Sequence, residues 1–402
     1  MKRLFLTIIV ICFPIFLFAE EVEVNGLFYD IYKNEAEVIK SPQKYKGDII
    51  IPESILYKGK KYSVNQIGKD AFRQCDDLYS VLIPNSIYRI NQYAFCFSEN
   101  LKSVQLSKNL EIIDNSAFNG CKSLDEISLP DKLVCIGSEA FANCDNLKSL
   151  FIPKFVRFID DGAFKNCFNI TVIKVDKDNK VFDSRYECNA IIETNSNTLI
   201  TGCVNTVIPL DVVNIGKFAF CGNKNLTSIT IPQNVTNIET GAFTWSGLER
   251  IEIPNNVIHI GEYAFQSCLQ LDSLVIPESV MQIDEVAFSN CKSLSSLTIL
   301  GDNIRLEKCA FADCKRLKDV FIYGKSKINV GEDVFEYNSN NNVLHVKKEL
   351  LSYYKEDNRW KYSFKKIVAI GNENSMSFGW YIIGFIIGVI SLYYFFKSRE
   401  NK

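Results

Sequence analysis

IGSEAFANCDNLKSLFIP, from Ile136 to Pro153, decides the fold, because nearly the same phrase returns throughout the 402-residue chain. Each copy carries an Ala-Phe pair, usually with a cysteine three residues later. Such regularity has two readings: a row of thiols for metal or disulfide chemistry, or a structural unit that the chain repeats. The phenylalanines fall at Phe72, Phe95, Phe118, Phe141 and Phe164, then at Phe220, Phe243, Phe265, Phe288 and Phe311, with Val334-Phe335 as a degenerate last copy. Within the two blocks every step is 23 residues except one of 22.

After six of the pairs comes a Leu-x-x-Ile-x-Ile-Pro core. It reads LYSVLIP (Leu78 to Pro84), LDEISLP (Leu124 to Pro130), LKSLFIP (Leu147 to Pro153), LTSITIP (Leu226 to Pro232), LERIEIP (Leu248 to Pro254) and LDSLVIP (Leu271 to Pro277). Apolar residues alternate with mostly polar ones, the period of a half-buried strand. Proline cannot donate the next ladder hydrogen bond, so each strand stops there. A second apolar pair, such as Ile87 and Ile90 or Val235 and Ile238, leads to the next Ala-Phe turn. One coil cannot bury its own Leu, Ile and Phe side chains, but stacked coils cover one another. A fixed period in the twenties with this core is the signature of leucine-rich repeats. The expected fold is an α/β-type leucine-rich repeat solenoid, mostly β and irregular coils, with about eleven repeats of 23 residues. Coils about 4.8 Å apart make a curved rod on the order of 50 Å along the stack, with one parallel sheet lining one face.

The division of the chain follows. Met1-Lys2-Arg3, an apolar run and Ala19 form a signal-peptide pattern over 1–19. Residues 20–66 read as a β cap, 67–343 as the solenoid and 344–370, with Trp360, as the C-terminal cap. Caps are expected because an open coil exposes core and unpaired strand edges. The 56-residue step from Phe164 to Phe220 contains an irregular insertion at 175–207, read as a hairpin. A linker at 371–377 precedes FGWYIIGFIIGVISLYYFF at 378–396, 19 residues without charge, which predicts a C-terminal transmembrane helix. The basic tail at 397–402 then stays cytoplasmic and the repeats lie outside the cytoplasm.

The phrase IGxxAFxxCxxLxxIxIPxxVxxI resembles that of the BspA-type, or Treponema pallidum-type, leucine-rich repeat proteins. The resemblance covers roughly residues 22 to 370. It implies a surface or secreted protein of the attachment class, and hence a protein or glycan partner.

Other classes have little support. Lys and Arg (45) nearly balance Asp and Glu (47), so no broad basic surface for nucleic acid is expected. The motifs G-x-S-x-G, H-E-x-x-H, G-x-G-x-x-G and the P-loop are absent, so neither an enzyme nor a cofactor is expected. No C-x-x-C occurs and the histidines are His259 and His345 alone, so no metal site is expected either. Of 14 cysteines, Cys75, Cys121, Cys144, Cys167, Cys268, Cys291 and Cys314 keep one register, which predicts a buried column of small apolar side chains. A disulfide between the off-register Cys188 and Cys203 stays open as an alternative. Asn169, Asn225 and Asn234 each begin an Asn-x-Thr sequon, a glycan acceptor only in a cell that glycosylates such sites.

Strand alternation turns the residues between Leu, Ile and Ile toward solvent. The candidate binding face is therefore Ser80, Leu82, Gln105, Ser149, Phe151, Lys174, Thr230, Arg250, Glu252, Val275, Thr298 and Phe321. Phe151 and Phe321 are the expected anchors, since binding energy concentrates in a few aromatic or Arg residues. The expected function is adhesion or protein interaction by a membrane-anchored ectodomain; the alternative is a structural scaffold in the envelope or periplasm with no external ligand.

Overall fold

The structure is a computed structural model that describes residues 20–371. The expected signal peptide, membrane span and cytoplasmic tail lie outside the described residues. Among the described residues no helix is long and apolar enough to cross a membrane.

The chain opens with β1 (Glu20–Val24), β2 (Leu27–Tyr32), β3 (Glu35–Val38), β4 (Gly47–Ile50), β5 (Ser54–Tyr57) and β6 (Lys60–Ile67). The first three form an antiparallel meander, and β5 folds back on β6. β3 then pairs parallel with β6, and β4 pairs parallel with Leu78–Leu82, the first repeat strand. This segment is therefore both a cap and a coil. Together with a coil inside the insertion it brings the array to about thirteen turns, against the eleven that the phenylalanines count.

Each repeat contributes to three columns. In the turn column the Phe rings stack from Phe72 to Phe164 with centroids 4.9–5.6 Å apart, and again from Phe220 to Phe335 at 4.9–5.7 Å. The planes are near parallel, 2–11° apart, at centroid distances within the range of stacked aromatic pairs. Within each block every Phe amide but the last donates to the carbonyl before the next Phe, as in Phe118 to Ala140 (2.7 Å) and Phe243 to Ala264 (2.7 Å). The residue before each Phe, Ala in ten copies and Val334 in the last, is fully or almost fully buried.

The short apolar pairs form the second column, as two-residue parallel strands. Arg89–Ile90, Ile112–Ile113, Cys135–Ile136 and Phe158–Ile159 extend the β1–β6 sheet to nine strands. A second nine-stranded sheet runs from Phe182–Asp183 to Asn329–Val330.

The third column corrects the sequence expectation of a single sheet. The Leu-x-x-Ile-x-Ile segments pair in three separate sheets. β4 joins Leu78–Leu82 and Ser103–Gln105; Ser149–Ile152 joins Val172–Val175; and Ser273–Ile276, Ser296–Ile299, Asp319–Ile322, Val343–Val346 and Lys366–Ala369 form the last. Residues 124–130, 226–232 and 248–254 run without a ladder, although Leu124, Leu226 and Leu248 are buried as in every other coil. In those coils the turn and short-pair columns hold the spacing, so side-chain burial suffices on the third side.

The insertion is a hairpin of Ala190–Glu193 and Thr198–Gly202, flanked by Phe182–Asp183. The turn column passes it by: the Asn166 amide donates to the Cys221 carbonyl (2.9 Å), and Lys217 pairs with Asp161 (3.0 Å). The Gly202 amide makes the bond that a repeat Phe would make, to the Ala219 carbonyl (2.9 Å). A Cβ on Gly202 would lie 2.1 Å from the Phe220 ring, so glycine stands where the ring ladder breaks. At the other end α1 (Leu351–Glu356) and α2 (Asn358–Lys361) close the array. Trp360 is buried there against Phe335, Tyr354 and Phe364.

Candidate binding surface

The cysteines belong to the core. All thirteen described cysteines are free, Cys188 and Cys203 among them. The registered thiols donate to the carbonyl of the Phe one coil earlier: Cys121 to Phe95 (3.2 Å), Cys144 to Phe118 (3.3 Å), Cys167 to Phe141 (3.0 Å), Cys268 to Phe243 (3.2 Å), Cys291 to Phe265 (3.3 Å) and Cys314 to Phe288 (3.4 Å). Ser98 takes the same place in its coil and donates to the Phe72 carbonyl. The column thus selects a small side chain with one donor. Burial pushes the Cys268 and Cys314 thiols up to about 12 and Cys221 to about 11. Cys144 and Cys291 are driven well above the ordinary thiol value by the same desolvation.

One group of potential metal ligands went unnoticed in the sequence. Cys309, Asp333 and Glu336 bring their ligand atoms within 4.8 Å of one another. They come from adjacent turns, so no sequence motif joins them. Burial raises the Cys309 thiol, which opposes the thiolate a metal would need. The sequon asparagines also have a structural part, since their amides tie coils together: Asn169 to the Asp145 carbonyl (2.8 Å), Asn225 to Phe168 (3.2 Å) and Asn234 to Leu210 (2.8 Å).

The strand face carries most of the expected residues. Leu82, Gln105, Ser149, Phe151, Lys174, Thr230, Arg250, Glu252 and Val275 are exposed. Register joins Leu82 to Gln105 and Phe151 to Lys174. Thr230, Arg250 and Glu252 lie in the unpaired segments, so no ladder fixes their mutual position. Ser80 is half-buried, its hydroxyl donating to Asp48 (2.6 Å).

Two positions depart from expectation. Thr298 is buried, at 7 % exposure, because Phe321 pairs opposite it on the next coil. Phe321 is itself half-buried, its ring stacked on His345 at 4.3 Å. His345 is held in turn by Asp319 (2.9 Å). Alternation tells which way a side chain points but not how large its neighbour on the next coil is. One large exposed residue of this face was missed: Ile50, which β4 places opposite Leu82. Ile50 lies in the segment read as a cap, so the repeat spacing does not reach it.

With this geometry in view, a comparison with known families is decisive. The model for the BspA type leucine-rich repeat region matches in six copies over residues 65–190 and 200–318, more than half of the chain. The chain belongs to the BspA-type leucine-rich repeat family. A search of curated proteins finds no match. Among solved structures, the pneumococcal vaccine antigen PcpA is similar at 22 % identity and TM-score 0.68, covering 88 % of this chain and 99 % of that one. A leucine-rich repeat protein from Bacteroides ovatus is 21 % identical at TM-score 0.53, over 87 % and 100 % of the two chains. A leucine-rich cell surface protein from Faecalibacterium prausnitzii is 23 % identical at TM-score 0.51, over 76 % and 95 %. At these identities the likeness speaks for the fold alone.

Proposed function

We propose that this BspA-type chain is an exported, membrane-tethered binding module that captures a protein or glycan partner outside the cytoplasm through its strand face. The observation that carries the reading is the row of exposed, chemically mixed side chains on that face, with Phe151 and Arg250 as its large members. The laddered part of that row, Phe151 and Lys174 among it, is preorganised by the stack, so little conformational entropy is lost when a partner docks there. The apolar segments at 1–19 and 378–396 supply export and tethering. The test is adherence of cells producing the full chain to panels of extracellular proteins and glycans. Phe151→Ala and Arg250→Ala should each weaken the captured partner by about tenfold or more, the scale of an interface anchor. Tyr186→Ala, on the exposed insertion, should leave it unchanged. Equal binding by all three variants would remove the strand face from the account.

A further inference from the structure

A groove of about 470 Å³ runs beside the turn column, crossing six coils from Phe97 to Trp245. Its floor is the residue two places after each repeat Phe, and in stacking order that column reads Phe97, Gly120, Asn143, Asn166, Gly222, Trp245. Aromatic residues stand at the two ends, 40 % and 48 % exposed, with a glycine inside each and two amides at the centre. The glycines make the depth: a Cβ on Gly120 would lie 2.5 Å from the Phe97 ring, and one on Gly222 would lie 2.0 Å from Asn166 Oδ1. Along one wall the charges balance, Glu99 and Asp145 against Lys122 and Lys224.

Three features select the occupant. The floor backbone is already paired coil to coil, through Phe97 to Asn119, Gly120 to Ala142, Asn143 to Lys165, Asn166 to Cys221 and Gly222 to Thr244. No strand edge is left for a peptide to extend. The balanced wall offers nothing to a polyanion. Asp145 is half-buried and makes no side-chain hydrogen bond or ion pair among the described residues, while Lys122 is taken by Glu99 (2.8 Å) and Lys224 lies over Phe168 (5.2 Å). The charges of Lys122 and Lys224 both reach Asp145, but neither donates a hydrogen bond to it, so its carboxylate stays open to accept one from a ligand hydroxyl. Five steps of about 5 Å give a trough about 25 Å long. Each step is close to the length of one hexose in a linear polysaccharide.

We infer that this groove binds a neutral linear oligosaccharide, with Phe97 and Trp245 as stacking platforms for terminal sugars and Asp145 as hydroxyl acceptor at the centre. The site stands apart from the strand face and does not depend on it. The test is titration of the full-length chain, in a sugar-free detergent, with neutral gluco-, manno- and N-acetylglucosamine oligosaccharides of increasing length, read by tryptophan fluorescence and calorimetry. Trp245 is the exposed tryptophan of the described residues, so its emission should shift on binding. Affinity should rise with length until the trough is filled. Trp245→Ala and the isosteric Asp145→Asn should each lower affinity by about tenfold or more, while Phe151→Ala and Arg250→Ala leave it unchanged. Absence of binding by every oligosaccharide, binding indifferent to Trp245 and Asp145, or tighter binding of an anionic polymer would each overturn the inference. None of these would touch the strand-face reading, whose failure appears only in the adherence of the Phe151 and Arg250 variants.

Discussion

Cys268 and Cys314 show why the chain repeats its thiols. Each is fully buried, donates to a carbonyl one coil back, and is pushed up to about 12 because the core does not solvate a thiolate. In the unfolded chain the same thiols ionise near pH 9. Their contribution to stability is thus complete below pH 9 and is lost as pH rises toward 12. Each thiol should cost about 1.4 kcal/mol per pH unit across that window. Urea midpoints measured at pH 8 and at pH 10.5 should fall, and Cys268→Ser should make the fall shallower. An unchanged slope would deny that the column is desolvated. Phe118, fully buried between Phe95 and Phe141 at 4.9 and 5.2 Å, has no such pH dependence. Phe118→Ala should cost about 3–5 kcal/mol at any pH, read from the same denaturation.

At the scale of the element, the Ala-Phe turn needs two left-handed residues, one two places before the Phe and one two places after, in all eleven copies from Phe72 to Phe335. Glycine supplies few of them. Val286, at φ 61°, is β-branched in a conformation that crowds Cβ against the backbone. Val286→Gly should raise stability by about 1 kcal/mol, seen as a higher thermal midpoint. Gly222→Ala should do the reverse by about 2 kcal/mol or more, since the left-handed strain is joined by the clash with Asn166. The hairpin insertion depends on a different glycine. Gly202→Ala would drive a methyl into the Phe220 ring and loosen the join between the two ring ladders.

At the scale of the molecule, the core falls into two clusters that meet inside the insertion, with Ile191 in the first and Ile192 in the second. Because each coil contacts its neighbours alone, stability propagates along the stack, and the join with its broken ring ladder is the weakest interface. Native-state hydrogen exchange should show amides of 182–202 opening at lower free energy than those of the coils around Phe118 and Phe288. Uniform protection would contradict this.

Much of this was legible in the sequence because a 23-residue period fixes which side chains must stack. It predicts the stacking of the repeat side chains and the cysteine column, but not which Leu-x-x-Ile-x-Ile segments form ladders, since three of the six quoted cores run without one. The left-handed turn sites were hidden because Tyr93, Phe218 and Val286 occupy them where glycine would have advertised them. Thr298 was misplaced because its burial depends on Phe321, a residue of another coil. The groove was hidden because Phe97 and Trp245 become five steps apart only once Asn166 is seen to stack on Cys221 across the 56-residue gap. Function was legible least, since the exposed positions are free of the packing that makes the rest repeat.

We propose that the repeats face outward from a membrane-tethered chain. Protease treatment of intact cells producing the full chain, with one antibody to the repeats and another to a tag after Lys402, tests it most directly. Loss of the repeat signal with the tag protected is the predicted result. Protection of the repeats until the outer envelope is opened would contradict it and leave an internal scaffold.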